Sequence, residues 1–115
     1  MQTDFQFSCD PPLAQVRIFG ELDPSTTAHL ADVLECLATR GCTRVEVDVE
    51  EVTYVDESNL RVLRDEQLRL RARGGDLEVV GDSDYHRVVA RRAGCADLFP
   101  SSLAEDAEPW EGVGS

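Results

Sequence analysis

Residues 52–63 read VTYVDESNLRVL. The β-branched and aromatic residues Val52, Thr53, Tyr54 and Val55 suit a strand, and beyond them Leu60 and Leu63 recur at helical spacing. Asp56 stands at the join, where a helix N-cap belongs. Upstream, TRVEVDVEEV puts Val45, Val47 and Val49 on one face and Glu46 and Asp48 on the other, as in a strand with one buried face. Downstream, the helical pattern runs from about Glu57 to Arg73 and stops at Gly74-Gly75. Leu60, Leu63 and Leu70 form its inner stripe, with Gln67 as a polar interruption. The stretch is the middle of a strand–helix–strand crossover, and the crossover sets the fold class.

The flanking segments extend the pattern. FQFS and LAQVRIFG alternate apolar and polar residues as half-buried strands do, and Pro11-Pro12 marks a tight connection between them. In GELDPSTTAHLADVLECLATRG, Asp23 is a helix N-cap, Pro24 fits the first helical position and Gly41 the exit. Leu30, Ala31, Leu34, Leu37 and Ala38 form that helix's apolar stripe. DLEVVG reads as a further strand, and SDYHRVVARRAG as a short helix capped by Ser83 and ended by Gly94. Leu98 and Phe99 add a last apolar contact. Strands alternating with helices imply parallel pairing, and the charged outer face of the Val45 strand places the helices mainly on one side of the sheet. The expectation is a small α/β domain over residues 1–100. From Pro100 the chain turns acidic and small-residue-rich, so residues 101–115 are expected to form a short helix, with Ser102 and Glu105 at capping-box spacing, or a frayed tail with Trp110 loosely docked.

Composition narrows the function. The net charge is −12, from 23 acids against 11 arginines and no lysine. Such a surface repels phosphate backbones and anionic headgroups, which points away from nucleic acid and membrane and toward a protein partner with a basic patch. The N-terminus lacks the basic and apolar regions of a secretory signal, so a cytoplasmic setting is expected. Cys9, Cys36, Cys42 and Cys95 lack metal-site spacing, and no cofactor or metal is expected. They read as reduced thiols, Cys36 and Cys42 being the only pair close in sequence. His29 and His86 lie on helices beside apolar stripes and are expected at the surface or half-buried.

The acids at the join admit a purely structural reading. Asp56 caps the helix, Glu57 favours its dipole by roughly 0.3–1 kcal/mol, and Arg61 stands four residues on in the stabilising order. Catalysis by the pair is disfavoured, because adjacent residues at a helix start diverge by about 100° while paired-carboxylate chemistry needs two groups converging on one bond.

Three stretches, FGELDPST, VEVDVEEVTYVDESNLRVL and GGDLEVVG, resemble in order and spacing the STAS domain of sulfate transporters and anti-sigma factor antagonists. The similarity runs from about Val16 to Phe99, and the short chain is similar to the stand-alone antagonists. The resemblance implies a STAS-like fold: a mixed, mostly parallel sheet of about four to five strands, with helices mainly on one face. It implies a regulator rather than an enzyme, binding an anti-sigma factor or a serine kinase with a histidine-kinase-like fold, and switched by phosphorylation at the start of the second helix. In that motif Asp56 matches the family's Asp, Glu57 falls at the usual acceptor, Ser58 at a second hydroxyl and Asn59 at a Gly, while Asp23 matches an acid beside the site. Glu57 cannot form a stable serine-like phosphoester. Two alternatives stay open: Glu57 acts as a permanent mimic, or Ser58 is the acceptor. A different class of function is a STAS subunit supporting an ATPase in a transport or signalling assembly. All the antagonist readings require Asp23, Asp56, Glu57 and Ser58 to share one edge of the sheet.

Overall fold

A computed structural model of the chain describes residues 3–99. Strand β1 (Asp4–Asp10) and strand β2 (Leu13–Leu22) form an antiparallel hairpin through Pro11-Pro12. A 3₁₀ turn (Pro24–Thr26) leads into helix α1 (Thr27–Thr39). Strand β3 (Arg44–Val55), helix α2 (Glu57–Ala72), strand β4 (Asp76–Val80), helix α3 (Asp84–Arg92) and a second 3₁₀ turn (Ala96–Leu98) complete the described chain. The sheet runs β1-β2-β3-β4, antiparallel at the first pair and parallel at the other two. The expected mixed, mostly parallel sheet is therefore present, with four strands among the described residues. The expectations for residues 101–115 fall outside the described residues.

Alternation sorts the two faces. Ala14, Val45 and Leu77 stand side by side across β2, β3 and β4, as do Val16, Val47 and Val79, and all six are buried. The row between them, Gln15, Glu46 and Glu78, is exposed. Gln15 Nε2 donates to Glu46 Oε1 at 2.9 Å there, and Arg17 lies 3.6 Å from Asp48 in the next row. The buried rows meet Leu30, Leu34 and Leu37 of α1 and Leu60, Leu63 and Leu70 of α2 in one core, which Leu98 and Phe99 also enter. Val33 belongs to the buried stripe of α1, while Ala31 and Ala38 are half-buried.

Strict alternation fails in β3 after Val49, because Val52 and Val55 are also buried. The register against β2 shifts twice, between Arg17 and Phe19 and between Gly20 and Glu21, and β3 carries one extra residue at each shift. Each bulge turns the inward phase by one residue, so the inward series runs Val49, Val52, Val55. Gly20, at the second shift, has φ 110°, a conformation side-chain-bearing residues rarely adopt.

Gln67 is buried without breaking the inner stripe of α2, since its Nε2 donates to Leu77 O at 2.9 Å and to Asp97 O at 3.2 Å. The side chain ties α2 to β4 and to the final turn. His86 departs from expectation: it is only 4% exposed. Its Nδ1 accepts from Ser83 N–H at 3.0 Å, closing a capping box, which leaves the ring hydrogen on Nε2 to donate to Val52 O at 2.8 Å. The cause is the length of β3. It pairs with β4 only as far as Asp48, and the backbone beyond needs other partners. Side chains of α3 supply two of them, His86 at Val52 and Tyr85 at Val55, whose N–H donates to the Tyr85 hydroxyl at 3.1 Å. His29 is exposed and packs against Phe5, ring centroids 4.7 Å apart.

Gly75 enters β4 hard against the neighbouring backbone. A Cβ there would sit 1.9 Å from Thr43 O and 2.7 Å from Thr43 C. Both are main-chain atoms that cannot turn aside. Gly75→Ala is expected to lower stability by about 2 kcal/mol or more, read as a lower urea midpoint at unchanged m-value. A midpoint equal to that of the parent chain would contradict this packing.

Candidate functional site

Parallel pairing of β2 and β3 delivers their C-terminal ends to the same edge of the sheet. The last rung pairs Leu22 with Val55, and Asp56 N–H then donates to Leu22 O at 2.7 Å. The loop after β2 and the start of α2 are therefore neighbours. Asp23 accepts from Ser25 N at 3.0 Å and caps the 3₁₀ turn rather than α1 itself, which begins at Thr27. Asp56 caps α2, accepting from Ser58 N at 2.9 Å and, through the same oxygen, from the Ser58 hydroxyl.

Two side-chain contacts join the two joints. Asn59 is fully buried, and its Nδ2 donates to Asp23 O at 2.9 Å. Ser58 Oγ and Thr27 Oγ1 lie 3.2 Å apart. Sequence reasoning placed Asn59 at the family's Gly; burial and the bond to Asp23 make it an internal clip. It missed Thr27 altogether, since a threonine at a helix start carries no signal of what it touches across the fold. It also missed Tyr85, which braces the end of β3 beside Asp56 while remaining 41% exposed. Tyr54, on the same strand end, is 44% exposed.

The structure thus brings together Asp23, Asp56, Ser58 and Asn59. Glu57 adjoins them but points elsewhere: it is exposed, with its carboxylate paired to Arg61 one turn along α2. The Asp56 carboxyl is held below the usual carboxylate range, chiefly by the Ser58 hydroxyl and then by the Ser58 amide, against an opposing push from burial. Asp56 is thus engaged with the start of its own helix and Glu57 with Arg61, so the two carboxylates do not converge on a common point. Among the described residues no group of three or more His, Cys, Asp or Glu side chains could hold a metal ion, and no helix is long and apolar enough to cross a membrane.

A protein-family model described as the Mlab, STAS domain matches residues 5–100. The chain belongs to the STAS domain family. Solved structures agree on the fold. The anti-sigma factor antagonist SpoIIAA in its unphosphorylated form is similar at 21% identity over 76% of this chain and 82% of that one, with a TM-score of 0.67. The Bacillus SpoIIAA in its phosphorylated form gives 17% identity, 91% and 100% coverage and a TM-score of 0.68. An anti-sigma factor antagonist from Mycobacterium paratuberculosis gives 17% identity, 93% and 96% coverage and a TM-score of 0.74. Comparison with curated proteins finds no match. At these identities the structural likeness establishes the STAS fold, and the chemistry of this STAS domain rests on its own residues.

The depressed Asp56 carboxyl has a consequence for acid stability. Its contribution is fully present above the ordinary value of 3.8 and is lost as pH falls through the lower folded-state value. Asp56→Ala is expected to cost about 1 kcal/mol near neutrality, as N-cap removals do. Urea unfolding between pH 7 and pH 2 should show the gap between the parent and Asp56→Ala narrowing only below the ordinary carboxylate range. A gap that closes already at pH 5 would place the carboxyl above that range instead.

Proposed function

We propose that this STAS domain is a protein-binding regulator of the anti-sigma factor antagonist kind, and that the joined ends of β2 and β3 are its partner surface. The observation that carries this reading is the clip from Asn59 to Asp23, which presents the Asp23 turn and the start of α2 as one surface. Asp23, Asp56, Glu57 and Ser58 make up that surface, with the buried Asn59 supporting it from within. The partner is an anti-sigma factor or a serine kinase of histidine-kinase-like fold. Residues 1–100 form the binding domain, and residues 101–115 are an acidic segment outside it. The setting is cytoplasmic, and the role is binding without catalysis.

Glu57 carries a permanent charge at the position where relatives carry a switchable hydroxyl. A glutamate supplies about one negative charge against the −1.5 to −2 of a phosphoserine, so it imitates the phosphorylated state in part. Exposure favours that role: the Glu57 side chain is 52% exposed and reachable by a partner's arginine or lysine. Ser58 is the poorer acceptor. It is half-buried, its hydroxyl engages both the Asp56 carboxylate and Thr27, and a phosphoryl group there would meet the Asp56 charge directly. A second reading draws on the same glutamate. A STAS subunit held permanently against an ATPase in a transport or signalling assembly needs no phosphorylation switch at position 57.

Affinity capture from the native lysate, followed by titration of the captured protein with pure variants, separates these readings. The antagonist reading expects an anti-sigma factor or a histidine-kinase-like kinase, bound with an association rate that falls as salt rises. Glu57→Ser should change the dissociation constant at least about tenfold, equivalent to about 1.4 kcal/mol, while leaving stability within about 1 kcal/mol. A transport ATPase in the capture would favour the second reading. Unchanged affinity in Glu57→Ser, with kinase labelling that Ser58→Ala abolishes, would transfer the switch to Ser58.

A further inference from the structure

The sulfurs of Cys9 and Cys42 lie 2.7 Å apart, although the residues are 33 positions apart in the chain. Unbonded heavy atoms ordinarily pack at roughly 3.5–4.0 Å. A sulfur–sulfur bond needs about 2.05 Å, so closure calls for a movement of roughly 0.7 Å. Sequence spacing singled out Cys36 and Cys42 instead, because it could not see the hairpin. Cys9 stands opposite Ala14 in the β1–β2 ladder, and Ala14 stands opposite Val45 in the β2–β3 ladder. Cys9, on the core side of the edge strand, thereby meets the turn that leads into β3. The backbone around Cys42 is pinned in place: Cys42 N donates to Leu37 O at 3.0 Å and Thr43 N to Pro12 O at 2.9 Å.

We propose that Cys9 and Cys42 are an oxidation site at which the two thiols close into a disulfide, latching the edge strand β1 to the turn before β3. The oxidant class is a hydroperoxide. Cys42 is 1% exposed, whereas Cys9 is half-buried and is the sulfur an oxidant reaches. Burial pushes the Cys42 thiol up to about 11, and the hydrogen bond to Cys9 and the charge of a Cys9 thiolate push the same way. Asp10 adds to that push and Arg40 opposes it. Cys42 therefore keeps its proton at neutral pH, and the accessible Cys9 meets the oxidant first.

In the first step the Cys9 thiolate attacks a peroxide oxygen. The O–O bond breaks, hydroxide leaves, and Cys9 becomes a sulfenic acid, oxidised by two electrons. The Cys42 sulfur then attacks the Cys9 sulfur, the S–O bond breaks, and the departing hydroxyl leaves as water with the Cys42 proton. With hydrogen peroxide the sum is two thiols and one peroxide to one disulfide and two waters. Among the described residues strand β1 pairs with β2 alone, so the new bond gives this edge strand a second anchor and constrains the unfolded chain. The bond forms at the end of the sheet remote from Asp56, by the topology of β2.

The test uses the full-length chain treated with a stoichiometric amount of hydrogen peroxide. The intact mass is expected to fall by two hydrogens and the digest to hold a peptide joining Cys9 to Cys42. The Tm should rise by at least about 5 °C, reversed by dithiothreitol. Cys9→Ser and Cys42→Ala should each abolish the mass loss, and Cys36→Ala and Cys95→Ala should each retain it. Oxygen added at Cys9 without a cross-link, a disulfide through Cys36 or Cys95, or unchanged thiols would overturn the oxidation site. A Cys9–Cys42 bond that leaves the Tm unmoved would overturn the latch.

Discussion

The last rung of the β2–β3 ladder fixes how the Asp23 turn meets the start of α2. Because the two strands run parallel, the hydrogen bond from Asp56 N–H to Leu22 O sets the exit of one strand against the exit of the other. Everything at the edge follows from that proximity. Asp23 and Asp56 each cap the turn that begins beside them, and Asn59 reaches from one joint to the carbonyl of the other. The bulges in β3 belong to the same constraint. Without two extra residues, Val55 would not face the core in register with Leu22, and Asp56 would not start α2 at this place.

The charges at the joint divide by what they touch. Asp56 is committed to the helix: the Ser58 hydroxyl and amide stabilise its ionised form. Among the described residues the Glu57 carboxylate pairs with Arg61, in an exposed ion pair of the kind worth about 0.3–0.5 kcal/mol on a helix. A partner displaces such a pair at little cost. The fold therefore uses one carboxylate for its own stability and leaves the other exposed, as the proposed partner surface requires.

Much of this was legible in the residues. The alternation in TRVEVDVEEV, the capping positions of Asp23, Asp56 and Ser83, and the glycine exits carry local physics that survives into the structure. The placement of Asp23 beside Ser58 followed from parallel pairing alone. What stayed hidden was long-range. A histidine in a helix gives no sign that a strand 34 residues earlier lacks a partner for a carbonyl, so His86 read as a surface or half-buried residue. The burial of Asn59 gave no sequence signal because its bond partner is a backbone atom in the loop after β2. Thr27, Tyr85 and the Cys9–Cys42 pair escaped for the same reason. Periodicity reports on a residue's own element, and these contacts cross between elements.

The direct measurement is a double-mutant cycle across the joint, with partner affinity determined for Thr27→Val, Ser58→Ala and the pair. These two side chains touch and belong to the starts of different helices, so their coupling reports whether the partner reads the two joints as one surface. A surface built as described here gives a coupling energy of about 0.5 kcal/mol or more. Affinity losses that simply add, within about 0.3 kcal/mol, would mean that the partner contacts the two joints independently and would contradict a single surface.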